Sequence, residues 1–145
     1  MIIPVTKENE EVWASMCVAL WPEDTFDDWI REGRDKNYEN EFLFIINNEA
    51  VAFINISLRH EYVEGTGSSP VGYLEAIYVE PEFRNQGIAR KLVEYAKEWA
   101  VDKGCIEFAS DCELSNDISR KFHNKIGFTE ANINVHFTMN LQNNT

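Results

Sequence analysis

Two carboxylates and one glycine-bearing turn are the residues of this chain best suited to chemistry. The turn lies in Tyr78-Val79-Glu80-Pro81-Glu82-Phe83-Arg84-Asn85-Gln86-Gly87-Ile88-Ala89. It reads as a strand end, a short turn and a helix opening on Arg84-x-x-Gly87-x-Ala89. A helix start leaves backbone N–H groups without helical partners, and the helix dipole adds positive potential there. Such a turn is an anion site, and a pyrophosphate would sit on it. Gly87 lets the backbone approach a ligand closely, and Ala89 keeps the helix start uncrowded. The plain alternative is a surface turn that holds nothing.

Glu75 lies among Tyr73, Leu74, Ala76, Ile77 and Tyr78. A carboxylate in such an apolar strand is costly unless it meets water, a partner or a ligand. It is either an exposed strand acid or a group aimed at a bound molecule. Asp111 follows the apolar segment 106–110, and ligands of open α/β sheets bind at strand C-termini. Its alternative is a turn or helix cap for the residues that follow. Cys112 has no base beside it in sequence and reads as a bystander rather than a nucleophile.

The elements that must position these groups follow from periodicity. Residues 2–5 alternate and form a first strand. In 7–20, Val12, Trp13, Met16, Cys17 and Leu20 recur at helical spacing. Trp21-Pro22 ends that helix, because a residue before proline avoids the α region. Thr25 with Asp28 reads as an N-cap and an N3 acid, starting a second helix to about Lys36. Strands 42–46 and 50–57 flank Asn47-Asn48-Glu49, a hairpin turn. The polar segment 59–71 is a long loop, a kind that is usually functional or mobile. Strand 72–79 leads into the turn. The next helix, 87–103, puts Ile88, Leu92, Ala96, Trp99 and Ala100 on one stripe and stops at Gly104. A strand at 106–110, a helix at 116–125 with Ile118 and Phe122 inward, and a last strand at 133–139 complete the order βααββ–βαβαβ.

At 145 residues, 44% of them hydrophobic, the chain is expected to be a single domain over 1–145 with a full core. The apolar runs are too short to span a membrane, and Lys7–Glu11 interrupts any leader-like stretch. Cys17, Cys105 and Cys112 form no paired spacing. His60, His123 and His136 are scattered. We therefore expect no metal and a cytoplasmic setting. The net charge is −12, which repels nucleic acid and anionic membranes. Residues 23–64 hold eleven Asp and Glu against four Lys and Arg. This stretch is either a solvated acidic face or a field that draws in a polycation.

The strand, Val-x-Pro, Arg84-x-x-Gly87-x-Ala89 and amphipathic helix together resemble the coenzyme A loop of the GNAT superfamily of N-acetyltransferases. The resemblance implies the α/β acetyltransferase fold, a mixed β-sheet splayed at its centre and flanked by helices. It implies acetyl-CoA as co-substrate. The backbone near Ile77, Tyr78 and Val79 would bind the pantetheine arm. The segment Asn85, Gln86, Gly87, Ile88, Ala89 and Arg90 would hold the pyrophosphate. Asn116 would reach the pantetheine or nucleotide, unless it is simply an N-cap. Superfamily members often carry Tyr four residues before a Gly-Phe pair as the acid for the leaving thiolate. Here Gly127-Phe128 is present, but that position is His123, which either donates to sulfur or merely packs.

More specific stretches resemble bacterial aminoglycoside 6′-N-acetyltransferases of type I. They are Leu20-Trp21-Pro22, Ser57-Leu58-Arg59-His60-Glu61-Tyr62-Val63-Glu64-Gly65, Ser68-Ser69-Pro70-Val71, Leu74-Glu75-Ala76-Ile77-Tyr78-Val79, Lys103-Gly104-Cys105 and Ala109-Ser110-Asp111. This resemblance implies direct acetyl transfer to the 6′-amine of aminoglycosides, antibiotic resistance and a homodimer. It carries Trp21, Tyr62, Glu75 and Asp111 into the substrate pocket, with Asp111 and Glu75 as the catalytic carboxylates, either of which would accept the ammonium proton. Trp21 and Tyr62 would face sugar rings and ammonium groups, and the two carboxylates would pair with amines. Asn132 stands where the family has a further acidic contact, with Glu130 nearby. The runner-up substrate is another polyamine or an amino-sugar metabolite.

Overall fold

The computed structural model describes residues Met1–Gln142. It divides into two compact units, the first ending at Asp111 and the second starting at Cys112. The first unit holds β1 (Ile2–Pro4), α1 (Glu10–Leu20), α2 (Phe26–Asp35), β2 (Glu41–Ile46), β3 (Glu49–Arg59), β4 (Val71–Val79), α3 (Ile88–Asp102) and β5 (Phe108–Ser110), with a single 3₁₀ turn at Pro81–Phe83. Its strands form one mixed sheet in the order β1-β2-β3-β4-β5. The first three pairings are antiparallel, and β4–β5 is parallel.

Local chemistry explains the elements. The Thr25 Oγ1 accepts from the Asp28 N–H at 3.1 Å, so the expected N-cap starts α2. Asn47 and Asn48 adopt φ of 50° and 64°, the left-handed pair that a tight hairpin between β2 and β3 requires. Gly87 at φ 83° starts α3, and Gly104 at φ 90° follows its end. β3 is buried along Val51-Ala52-Phe53-Ile54 without alternation, so it needs cover on both faces. One face packs Phe53, Leu43 and Ala76 against Trp13, Ala14, Met16 and Cys17 of α1. α3, burying Ile88, Leu92, Val93, Ala96 and Ala100, packs on β3 and β4. Gly72 is the close-approach point of that layer. A Cβ there would lie 2.6 Å from Ala100 Cβ and 2.7 Å from the Phe108 ring.

The second unit contains α4 (Asp117–Lys125). Two expectations fail in it. Ile118, expected to turn inward, is 84% exposed. Its helix buries no residue fully, so an apolar side chain finds no core there. The expected last strand at 133–139 has no regular structure. Ile133, Val135, Phe137, Met139 and Leu141 keep the alternation of a strand but stand 58 to 90% exposed. Alternation marks a segment able to pair. A strand also needs a partner ladder, and residues 133–139 belong to none of the ladders among the described residues.

Candidate active site

Glu75 owes its position to an irregularity in the sheet. The β3–β4 register matches Asn55 with Ala76 and next Ile56 with Leu74, which leaves Glu75 without a counterpart. An extra residue in one strand bends it locally and re-aims its side chain. Tyr73, Leu74 and Ala76 are buried, while Glu75 between them faces solvent. Its carboxylate is well supplied with donors. Ser57 Oγ donates to Oε2 at 2.5 Å. Arg59 donates from Nη2 to both oxygens at 2.9 Å and from Nε to Oε2 at 3.2 Å.

Arg59 extends the network. Its guanidinium lies 3.4 Å from the centroid of the Tyr73 ring, a cation–π contact. The Tyr73 O–H donates in turn to Asp111 Oδ2. Burial, and then the hydrogen bond to Asp111 and its charge, push the Tyr73 hydroxyl well above its ordinary range, so it stays a donor. Glu75, Arg59, Tyr73 and Asp111 thus form one continuous chain that joins the two carboxylates read from the sequence. Sequence reasoning missed Arg59 and Tyr73 as site residues. Tyr73 was only a neighbour in the apolar strand, and Arg59 only the start of a polar loop.

A cavity of about 220 Å³ adjoins Glu75 and Ala76 and is walled by Trp21 and Trp29. The two indoles are stacked, 4.8 Å between centroids at 21°. Trp21 is therefore brought beside Glu75, and Trp29 joins it unforeseen. Lys36 and Glu41 also line this cavity. Glu41 is buried and accepts from Trp13 Nε1 at 3.1 Å and Lys36 Nζ at 2.6 Å. Burial outweighs the Lys36 charge and pushes the Glu41 carboxyl up to about 7. Tyr62 is not part of this wall; it is 74% exposed on the loop 60–70 between β3 and β4.

The turn after β4 has the features of an anion cradle. β5 pairs with β4 only from Gly72 to Leu74, so among the described residues Ile77, Tyr78 and Val79 have no strand partner on that edge. Arg84 braces the turn by donating from Nε to the Val79 carbonyl at 2.8 Å. Gln86 Nε2 donates to the Glu82 carbonyl at 3.2 Å. Asn85 at φ 63° and Gly87 at φ 83° turn the chain into α3. The first helical bond there is Lys91 N–H to Gly87 carbonyl at 3.1 Å. The preceding amides of Ile88 and Ala89 open the helix with no helical carbonyl within reach. An opened strand edge followed by a helix start fits a pantetheine arm and its pyrophosphate.

Asn116, His123 and Asn132 belong to the second unit. Asn116 caps α4, its Oδ1 accepting from the Ser119 N–H at 3.0 Å. His123 Nδ1 lies 2.7 Å from the Ser119 carbonyl, an acceptor only, which fixes the proton on Nδ1. Its ring packs against Phe122 and Phe128, with centroids 5.6 Å and 5.2 Å away. Asn132 is exposed. Among the described residues, no His, Cys, Asp and Glu cluster could hold a metal ion, and no helix is long and apolar enough to cross a membrane.

A mixed sheet opened beside a helix-start anion site, with one carboxylate turned out of β4 and another just past the end of β5, defines an acyltransferase of the coenzyme A-dependent kind. The profile of the acetyltransferase (GNAT) family matches residues 6–128, and the chain belongs to that family. It is 38% identical over 144 residues to an aminoglycoside N(6′)-acetyltransferase type 1 of Acinetobacter baumannii, covering 97% of this chain and 98% of the relative. Among solved structures it is similar to apo aminoglycoside 6′-N-acetyltransferase AAC(6′)-IG of Acinetobacter haemolyticus, with TM-score 0.91, 35% identity, and 98% and 99% of the two chains covered. It is also similar to AAC(6′)-Iy in complex with the bisubstrate analogue CoA-S-monomethyl-acetylneamine, with TM-score 0.89, 34% identity and 97% of each chain covered.

Proposed function

We propose that this chain, acting as one acetyltransferase domain, transfers the acetyl group of acetyl-CoA to the 6′-amine of aminoglycosides within a ternary complex and so confers resistance to them. The observation that carries this reading is Glu75. An extra residue turns it out of the sheet beside a cavity walled by two stacked indoles. Indole faces suit sugar rings, and a carboxylate suits an ammonium group. The nearly full-length similarity to aminoglycoside 6′-N-acetyltransferases supports the same reading.

The residues divide the work. Acetyl-CoA supplies the activated acyl group. The amides of Ile88 and Ala89 hold its pyrophosphate, within the segment Asn85–Arg90. The opened edge at Ile77, Tyr78 and Val79 orients its pantetheine arm. Glu75, already ringed by Ser57 and Arg59, anchors the 6′-ammonium in place of part of that ring. Asp111, which takes one donor from Tyr73, is the general base that accepts the proton of the reacting ammonium. The amine nitrogen then attacks the thioester carbonyl, the carbon–sulfur bond breaks, and the thiolate takes a proton from solvent. Tyr62 serves as an outer contact for the substrate. The acidic stretch 23–64 draws the polycation in.

The enzyme works in the cytoplasm as a homodimer. A second copy covers the alternating apolar residues Ile133, Val135, Phe137, Met139 and Leu141, an exposure that a lone soluble chain rarely sustains. Sedimentation that gives a monomer at micromolar concentration would remove this part.

The decisive experiment is thiol release from acetyl-CoA with neomycin, which carries a 6′-amine, and paromomycin, which carries a 6′-hydroxyl. Turnover of neomycin alone is expected. Equal turnover of both would move the acetylated amine elsewhere on the antibiotic. Silence on both, with turnover of a polyamine, would replace the aminoglycoside reading.

A further inference from the structure

The cavity beside Glu75 has a second charged end that acetyl transfer does not require. Glu41 and Lys36 line it, joined by a 2.6 Å ion pair. The two partners are buried unequally. The Lys36 side chain keeps 34% of its exposure and the Glu41 side chain 4%. Of the two lining groups the positive one is thus the more accessible, while the negative one is buried, where Trp13 Nε1 also binds it. Glu32, exposed on α2, stands at the rim. Burying such a pair brings little net stability, and apolar residues would fill the place as well. A cation lining the pocket of an enzyme for polycations is the opposite of what simple attraction would select.

Position within the sheet gives the charge a target. Glu41 is paired with Asn55, and Asn55 with Ala76 beside Glu75. Glu41 is thus two strands from the strand of Glu75, about 10 Å across the sheet. At about 220 Å³ the cavity is smaller than the roughly 300–1,000 Å³ that takes a whole drug-sized ligand, so it accommodates one sugar ring. On the 6′-amino sugar, the 6′-amine is carried by C6′, which hangs from C5′, and C2′ lies directly across the ring from C5′. With the amine at Glu75, the 2′ substituent points toward Lys36.

We propose that Lys36, seated on Glu41, is a specificity-determining residue that favours acceptor sugars with a hydroxyl at C2′ over those with an ammonium group there. The inference rests on the proposed function, in which Glu75 faces the 6′-amine. A lysine ammonium donates to a hydroxyl oxygen and repels a second ammonium. With Lys36 removed, the repulsion is gone, and a Glu41 carboxyl oxygen can accept from the incoming 2′-ammonium.

Kanamycin A and kanamycin B test this directly, since both carry the 6′-amine and they differ only in a 2′-hydroxyl or a 2′-amine. The readout is the ratio of kcat/KM for the two acceptors, which cancels any loss of active protein. The unaltered enzyme is expected to favour kanamycin A. Lys36→Met should shift the ratio toward kanamycin B by roughly tenfold, the scale of one partly screened like-charge contact. The double variant Lys36→Met with Glu41→Gln, which removes both charges, should shift it less. This variant also serves if the single one fails to fold. A ratio unchanged in both, while Glu75→Gln still impairs both acceptors, would overturn the inference and leave the proposed function standing. If Glu75→Gln impairs neither acceptor, the underlying reading of the site fails first.

Discussion

The chain Glu75–Arg59–Tyr73–Asp111 makes the two carboxylates unequal. Glu75 accepts one hydrogen bond from Ser57 and three from Arg59, so its lone pairs are largely used. Asp111 accepts from Tyr73 on one oxygen. Asp111→Asn is therefore expected to lower kcat by about a hundredfold, the low end for loss of a general base. Glu75→Gln should raise KM more than it lowers kcat, as loss of an ammonium anchor does. Tyr73→Phe should lower kcat several-fold through Asp111 while the acetyl-CoA affinity holds. Steady-state kinetics with calorimetry of acetyl-CoA binding would check all three, and an unchanged kcat in Asp111→Asn would remove it from the mechanism. The two acids were legible in the sequence because a lone carboxylate in an apolar strand and one at a strand end are anomalies visible locally. Arg59 and Tyr73 were not, because their contacts join residues 16 and 38 positions apart. The same holds for Trp13 and Glu41, 28 apart.

At the scale of elements, glycines separate two kinds of constraint. Gly72 is required for space: a Cβ would meet Ala100 and Phe108 at 2.6 Å and 2.7 Å. Gly87 is required for conformation: its φ is 83°, and a Cβ would meet nothing within 4 Å. Gly72→Ala should thus cost about 1–3 kcal/mol of stability by overpacking the layer between β4, β5 and α3. Gly87→Ala should cost about 1 kcal/mol or somewhat more through a left-handed backbone. It should also weaken acetyl-CoA binding, which Gly72→Ala should change less. Thermal melting and calorimetry distinguish them; equal losses of affinity in both would deny Gly87 its place in the cradle. The elements legible in the sequence were those whose signals are local: the Thr25 cap, the Asn47-Asn48 turn, and Gly87 and Gly104 around α3. The segment 133–139 was misread because alternation reports a face, while pairing depends on an edge that sequence does not display. Ile118 was misread for the same reason, since helical spacing shows a stripe but not what covers it.

For the whole molecule, pH dependence of stability follows from buried Glu41. Its carboxyl is pushed up to about 7 from the ordinary 4.5. Between those values the folded chain holds a proton that the unfolded chain has lost, so stability rises as pH falls through this window. The full contribution is about 3 kcal/mol at most. Groups held low act in the opposite sense: Glu10 by Arg34 and Tyr38, and Glu107 by Ser68. Their stabilisation is lost as pH drops below the usual carboxylate range. The melting temperature should therefore peak at about pH 5–6. Glu41→Gln should flatten the decline on the alkaline side, and a decline of unchanged steepness would show that another group causes it. The unmatched position of Glu75 in the β3–β4 register carries one more consequence, for the ancestry of the site. A single supernumerary codon is enough to place an acid in the pocket, and its excision would restore an uninterrupted ladder from Ile56–Leu74 to Asn55–Ala76. The chain lacking residue 75 is expected to melt higher and to transfer no acetyl group. If it melts lower, the sheet itself needs the extra residue, and catalysis did not enter this fold as a removable defect.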